Sequence, residues 1–217
     1  LVPATTVSQA GPALTDARDK AQPLIPSLIL ALTDTDMFVR WGAARAIGNI
    51  APLQSQAAVR NLAKLLCDPD LNVRLAAAGT LQIMGPLALD ALRALTQALL
   101  DGDVDARIAV MNALLTLPHD QAKEAVPALI AMRNLGNDSD PYVRHAAACS
   151  LATLSDEAGL VAAGGNESFP IRTVALLALR RQHSPEVARF LTDRSPQLIV
   201  EAARAIHDGN IPEGWPK

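Results

Sequence analysis

Apolar residues recur at spacings of three and four along most of this chain. Val39, Ala43, Ala46, Ile47 and Ile50 share one face of a helix, and Val73, Ala77, Thr80, Leu81 and Met84 repeat the pattern almost position for position. Val143, Ala147, Ser150, Leu151 and Leu154 repeat it again. A stripe of this period is what an amphipathic helix buries. A partner helix is predicted before each stripe, over 23–32, 56–66, 87–100 and 121–135, with two shorter ones near 156–163 and 185–191. Turn-forming residues separate partner from stripe: Thr33-Asp34-Thr35, Asp68-Pro69, Gly102, Gly136-Asn137-Asp138-Ser139 and Gly164-Gly165-Asn166. The predicted unit is therefore helix, tight turn, helix. One such hairpin leaves its apolar face uncovered, so the hairpins must stack.

The start of each striped helix carries a recurring string. It reads Asp36-Met-Phe-Val39-Arg40, Asp70-Leu-Asn-Val73-Arg74, Asp103-Val-Asp-Ala106-Arg107, Asp140-Pro-Tyr-Val143-Arg144 and Ser168-Phe-Pro-Ile171-Arg172, with a degraded sixth copy, Ser195-Pro-Gln-Leu198-Ile199. The arginines are spaced by 34, 33, 37 and 28 residues, with 27 more to Ile199, and the shorter late partner helices account for the drop. Asp36, Asp70, Asp103, Asp140, Ser168 and Ser195 are each predicted to cap a helix, their side-chain oxygens accepting a first-turn N–H at about 1 kcal/mol per cap. Pro141 and Pro196 follow their caps at the first helical position, where a missing N–H costs nothing.

The Asp-x-x-Val-Arg-x-x-Ala-Ala-x-x-Leu box resembles the second helix of HEAT repeats, of the short bacterial type also found in phycobilin lyase-like proteins. The resemblance covers residues 21–207 and implies an all-α fold, a right-handed α-α superhelix of about six helical hairpins. It also implies a ladder in which Arg40, Arg74, Arg107, Arg144 and Arg172 pair with acidic turn residues of neighbouring repeats. Residues 1–20 form an N-terminal extension and residues 208–217 a tail. That tail carries Ile211, Pro212, Trp215 and Pro216, and either folds back over the last repeat or leads to another domain. A second string, Glu201-Ala-Ala-Arg204-Ala-Ile206-His207-Asp208 with Ile211-Pro212, is similar to the HEAT region of large secreted bacterial membrane-bound dehydrogenase-like proteins. These join a sugar-dehydrogenase propeller to a haem domain. Neither the propeller nor a Cys-x-x-Cys-His haem site occurs in this chain.

Composition narrows the function classes. Half of the chain is apolar but only 3% is aromatic, and 19 basic residues against 22 acidic give a net charge of −3. No basic stripe of the kind nucleic acid requires stands out, and no uninterrupted apolar run reaches the roughly 18 residues of a membrane span. A start at Leu1 points to a processed or excised piece, so a targeting segment would lie outside these residues, and both a cytoplasmic and a secreted location stay open. Cys67 and Cys149 fall in the second and fourth repeats, too far apart for a disulfide, which needs Cα atoms within about 7 Å. His145 and Cys149 share a helix face, yet a zinc site needs two more ligands, and they are read as a surface His beside a small packing Cys. No Ser–His–acid constellation is evident. Asp101 with Asp103, and Asp138 with Asp140, lie at cap positions and are read as helix-start residues rather than calcium ligands.

What remains is the face opposite the buried stripes: Trp41, Arg45 and Gly48, then Leu75, Gly79 and Gln82, then Ile108, Asn112 and Leu115, then His145, Cys149 and Ala152. This row is more apolar than a solvated face and is expected to receive a protein partner or a neighbouring domain. Trp41, Arg45, Leu75, Gln82, Ile108, Asn112 and His145 are the candidate contacts, with Trp41 and Arg45 as anchors. The expected function is a non-enzymatic interaction scaffold with no metal, no cofactor and no nucleic-acid partner. The alternatives are a tetrapyrrole lyase-like protein and the HEAT domain of a larger secreted dehydrogenase.

Overall fold

The computed structural model describes Lys20 and residues 22–50, 55–132 and 140–214. Every regular element among them is helical. The chain divides into two compact units, Leu1–Leu95 and Thr96–Lys217. The extension over residues 1–19, the turn Gly136-Asn137-Asp138-Ser139, the end of the helix expected over 121–135, and Trp215 with Pro216 lie outside the described residues.

In the first unit a 3-10 turn, Gln22–Leu24, leads into α1 (Ile25–Ala31), which pairs with α2 (Met37–Ile50). A second 3-10 turn, Gln56–Ala58, leads into α3 (Val59–Leu65), which pairs with α4 (Leu71–Met84), and α2 lies along α4. Small residues set that approach. Ala43, Ala44, Ile47 and Gly48 of α2 are buried against it, with Val73, Ala77, Ala78 and Leu81 sealed on α4. A Cβ on Gly48 would stand 3.0 Å from Thr80 Oγ1. The same hydroxyl donates a 2.8 Å bond to the carbonyl of Ala44, a buried cross-helix tie. Gly48 thus belongs to the packing and not to the outward row. Val39, expected in the buried stripe, is 40% exposed because the residues meeting α4 begin one turn later, at Ala43.

Leu71–Ala98 is by length and composition apolar enough to cross a membrane, longer than the uninterrupted runs counted from the sequence. It is not one helix. Gly85 ends α4 at φ 54°, and a 3-10 segment, Gly85–Ala91, turns back to pack on α3 before α5 (Leu92–Ala98) begins. Met84, Ala88, Ala91 and Leu95 are buried in the protein.

The second unit contains α6 (Val104–Leu114), α7 (His119–Ala122), α8 (Val126–Ala131), α9 (Pro141–Leu154), α10 (Glu157–Gly164), α11 (Phe169–Arg181) and α12 (Pro196–Asp208). The striped helices α6, α9 and α11 pack in sequence, and α10 pairs with α11. The partner of α12 is a 3-10 helix, Pro185–Thr192. Its buried residues, Val187 and Phe190, are three apart, the period that keeps side chains on one side of a 3-10 helix. Phe190 reaches the backbone of α10, where a Cβ on Gly164 would lie 2.8 Å from the ring. Ile211 is buried, and Pro212–Gly214 lies against the 3-10 helix, so this part of the tail folds back over the last hairpin.

Helix ends follow local chemistry. Asp70, Asp103 and Asp140 sit in extended backbone and accept first-turn N–H groups at 2.8–3.2 Å, and Asp36 accepts from Phe38 at 2.7 Å. Ser168 and Ser195 occupy the same position but make no side-chain cap, contrary to the sequence expectation. After Ser168 the second helical residue is Pro170, which has no N–H to give. After Ser195 the third, Leu198, already donates to the backbone carbonyl of Ser195. At the other end, α11 and α12 both close in Schellman motifs. Ser184 N–H reaches the Leu179 carbonyl past His183 at φ 53°, and Ile211 N–H reaches the Ile206 carbonyl past Asn210 at φ 47°.

Candidate protein-interaction face

The aligned arginines of α2 and α11 tie consecutive hairpins together. Arg40 grips Asp68 of the next turn with Nε to Oδ2 at 2.7 Å and Nη2 to Oδ1 at 2.9 Å, while Nη1 bonds the carbonyls of Asp34 and Thr35. Arg172 repeats the arrangement on Asp193 at 2.8 and 3.2 Å, with Nη1 on the carbonyls of Asn166 and Glu167. Arg74 and Arg107 make the same carbonyl bonds in their own turns, to Asp68 and Pro69 and to Asp101. Each arginine thus pins its own turn, and in these two rungs it also clamps the next. Burial pushes Asp68 and Asp193 up, but it is outweighed. The guanidinium bond, the N–H of Asp70 or Ser195, and the charges of Arg40 and Arg74, or of Arg172 and Arg194, hold both carboxyls below the ordinary range.

Three of the expected contact residues come together in the first unit. Trp41 and Arg45 project from α2 and Leu75 from α4 into a cleft of about 460 Å³, completed by Asn49, Asn72, Ala76, Gly79, Thr80 and Ile83. The Arg45 guanidinium lies over the Trp41 ring, 4.8 Å from its centre, a cation–π contact that holds both side chains in place. Ile83 is 54% exposed at the cleft edge. Gln82 is exposed on α4 but is not among the lining residues. In the second unit Ile108 and Asn112 are half-buried on α6, and His145 is exposed on α9 in a different, basic cleft with Arg144 and Arg181. Trp41, Arg45 and Leu75 thus share one cleft, and His145 lines another.

The family profile of HEAT repeats matches residues 25–115. That segment consists of HEAT repeats. No curated protein matches it, whereas solved structures share its architecture. An engineered protein aligns over 88% of this chain and 98% of its own, at 21% identity and TM-score 0.56. A designed armadillo repeat protein in complex with the peptide (KR)4 aligns over 86% and 99%, at 17% identity and TM-score 0.56. The complex of CpcE and CpcF of phycocyanin lyase from Nostoc sp. PCC7120 aligns over 82% and 74%, at 22% identity and TM-score 0.55. At these identities the likeness is one of fold, a helical-repeat array.

One class of structural residue escaped the sequence reading. The position two before each cap holds Asp34, Asp68, Asp101, Asp138, Asn166 or Asp193. In every described copy its Oδ1 accepts the N–H of the cap residue, at 2.8–3.0 Å. Asp68 and Asp193 among them also take the arginine side chains, and aligning the copies two residues further upstream exposes the position. Asp101 and Asp103 lie together for this reason. Cys67 and Cys149 are free thiols. Cys149 Sγ stands 3.5 Å from His145 Nε2, and no cluster of three metal-ligating side chains occurs among the described residues.

Proposed function

We propose that this chain is a non-catalytic scaffold that holds an extended segment of a protein partner in the cleft between α2 and α4. The observation that carries the reading is the composition of that cleft. Trp41, Leu75 and Ile83 offer an apolar floor for a partner side chain, and Asn49 and Asn72 flank it with amide groups that both donate and accept, as a peptide backbone requires. The stacked Trp41–Arg45 pair is already ordered, so docking there freezes little additional side-chain freedom. A designed protein of the same fold holds a peptide.

Replacing Trp41 and Arg45 together with alanine removes the anchors without touching the α2–α4 contact. The expected result is loss of the co-purifying partner at unchanged helical circular dichroism; undiminished capture by the variant contradicts the proposal. Titration of free bilin or haem supplies the opposing outcome. A saturable absorbance shift abolished by the same variant would replace the scaffold reading with a pigment-handling one.

A further inference from the structure

Arg144 stands apart from the clamps that Arg40 and Arg172 make, and it marks a second site. After Arg40 and Arg172 the next turn presents Asp68 and Asp193 at the acceptor position; after Arg144 the corresponding place in the sequence holds Asn166. The Asn166 Oδ1 accepts the N–H of Ser168, and its carbonyl takes Arg172 and Arg194. Among the described residues no carboxylate pairs with Arg144. It lines a cleft of about 650 Å³ in the second unit, with Pro141 and His145 of α9, Leu177, Arg180 and Arg181 of α11, His183, and Asp208 and Gly209 at the end of α12.

The charges in this cleft do not cancel. Arg180 is neutralised locally, 2.9 Å from Glu201 and 3.8 Å from Asp208. Arg181 is not. Its Nη2 donates to His145 Nδ1 at 3.1 Å and its Nη1 to the Leu177 carbonyl at 3.4 Å. An arginine can only donate, so Nδ1 of His145 is the acceptor, and its other nitrogen faces Cys149 Sγ. The imidazole therefore orients Arg181 without neutralising it. A chain of net charge −3 thus carries a local positive site built around two guanidiniums, Arg144 and Arg181. The closing residue is also unusual. His183 holds the left-handed conformation at the end of α11, where glycine costs less, and it lines the same cleft.

We infer that this cleft binds carboxylates of an acidic protein segment, Arg144 and Arg181 receiving them as Arg40 and Arg172 receive Asp68 and Asp193. The inference rests on the reading of the chain as a protein-binding scaffold and adds a second contact of defined chemistry. Asp208 and Glu201 flank the site and leave it a small surplus of positive charge. That suits one or two carboxylates and disfavours a polyanion such as nucleic acid.

The test is titration of the whole chain with an acetylated, amidated octapeptide carrying one Asp and one Glu among glycines and serines, followed by calorimetry and by the arginine Nε–H signals in NMR. Its Asn/Gln counterpart, inorganic phosphate and a single-stranded oligonucleotide serve as comparison probes. The acidic peptide is expected to shift the Arg144 and Arg181 signals. Arg144→Gln and Arg181→Gln should each weaken it about tenfold at unchanged circular dichroism. His183→Gly should raise Tm by about 2–4 °C through relief of the backbone conformation while weakening the peptide; a merely structural histidine gives the rise without the loss. Equal binding of the Asn/Gln peptide, tighter binding of phosphate or oligonucleotide, or insensitivity to both arginine variants overturns the inference. None of these outcomes depends on Trp41 and Arg45, so failure here leaves the α2–α4 cleft untouched, and failure there leaves this cleft standing.

Discussion

Asp193→Asn isolates what a ladder rung contributes. The side chains of Arg172 and Asp193 are only 5% and 8% exposed, so the pair is close to fully desolvated. Asparagine can still accept the Ser195 N–H, but it turns a donor toward a guanidinium that only donates, losing one of two charge-assisted bonds and the charge itself. Breaking a buried pair from one side costs about 3–5 kcal/mol. Arg172 keeps the carbonyls of Asn166 and Glu167, which lowers the expected cost to about 2–4 kcal/mol. With a urea slope of about 2–3 kcal/mol/M, that moves the unfolding midpoint down by roughly 1 M. The sign of the pH dependence is fixed by the depressed carboxyl. Its contribution is fully present above the unfolded-state value near 3.9 and is lost as pH falls through the lower folded-state value, so the gap between native and variant should close in strong acid. Urea melts by circular dichroism at neutral pH and in strong acid measure this. A cost under about 0.5 kcal/mol at neutral pH, or one equal at both, would refute the clamp argument.

Other consequences can be checked in the same way. Asp103→Ala should destabilise by about 1 kcal/mol in urea melts, whereas Ser168→Ala and Ser195→Ala should cost only a few tenths, since neither serine caps its helix. Gly48→Ala must displace Thr80 across the α2–α4 contact and should cost about 1–3 kcal/mol by thermal melt, while Gly79→Ala, with open space around it, should be neutral or stabilising. Gly164→Ala, aimed into the Phe190 ring, should destabilise by a similar 1–3 kcal/mol and raise amide exchange in Pro185–Thr192.

The hairpins, their order and most caps were legible because each leaves a local mark: a period near 3.6, an Asp at the helix start, a Gly or Pro at the turn. The exceptions are equally local. Pro170 removes the N–H that Ser168 would have taken, and Leu198 donates instead to a backbone carbonyl. The acceptors two residues before the caps stayed hidden because aspartate is common in turns for other reasons, and only the geometry shows Asp68 and Asp193 serving a cap and an arginine at once. Sequence periodicity placed Trp41, Arg45 and Leu75 outward but could not say which outward residues share a cleft. That depends on how closely α2 approaches α4, set by the contact of Gly48 with Thr80. Missing for the same reason was the basic cleft, whose members come from α9, α11 and the end of α12.

The scaffold account is tested most directly by site-specific photo-crosslinking from position 75, inside the cleft, against position 93, exposed at α5. The account predicts that a photoreactive residue replacing Leu75 becomes joined to a partner polypeptide, that Trp41→Ala abolishes the adduct, and that position 93 gives none. Equal adducts from both positions, or an adduct from position 75 that survives Trp41→Ala, would contradict it.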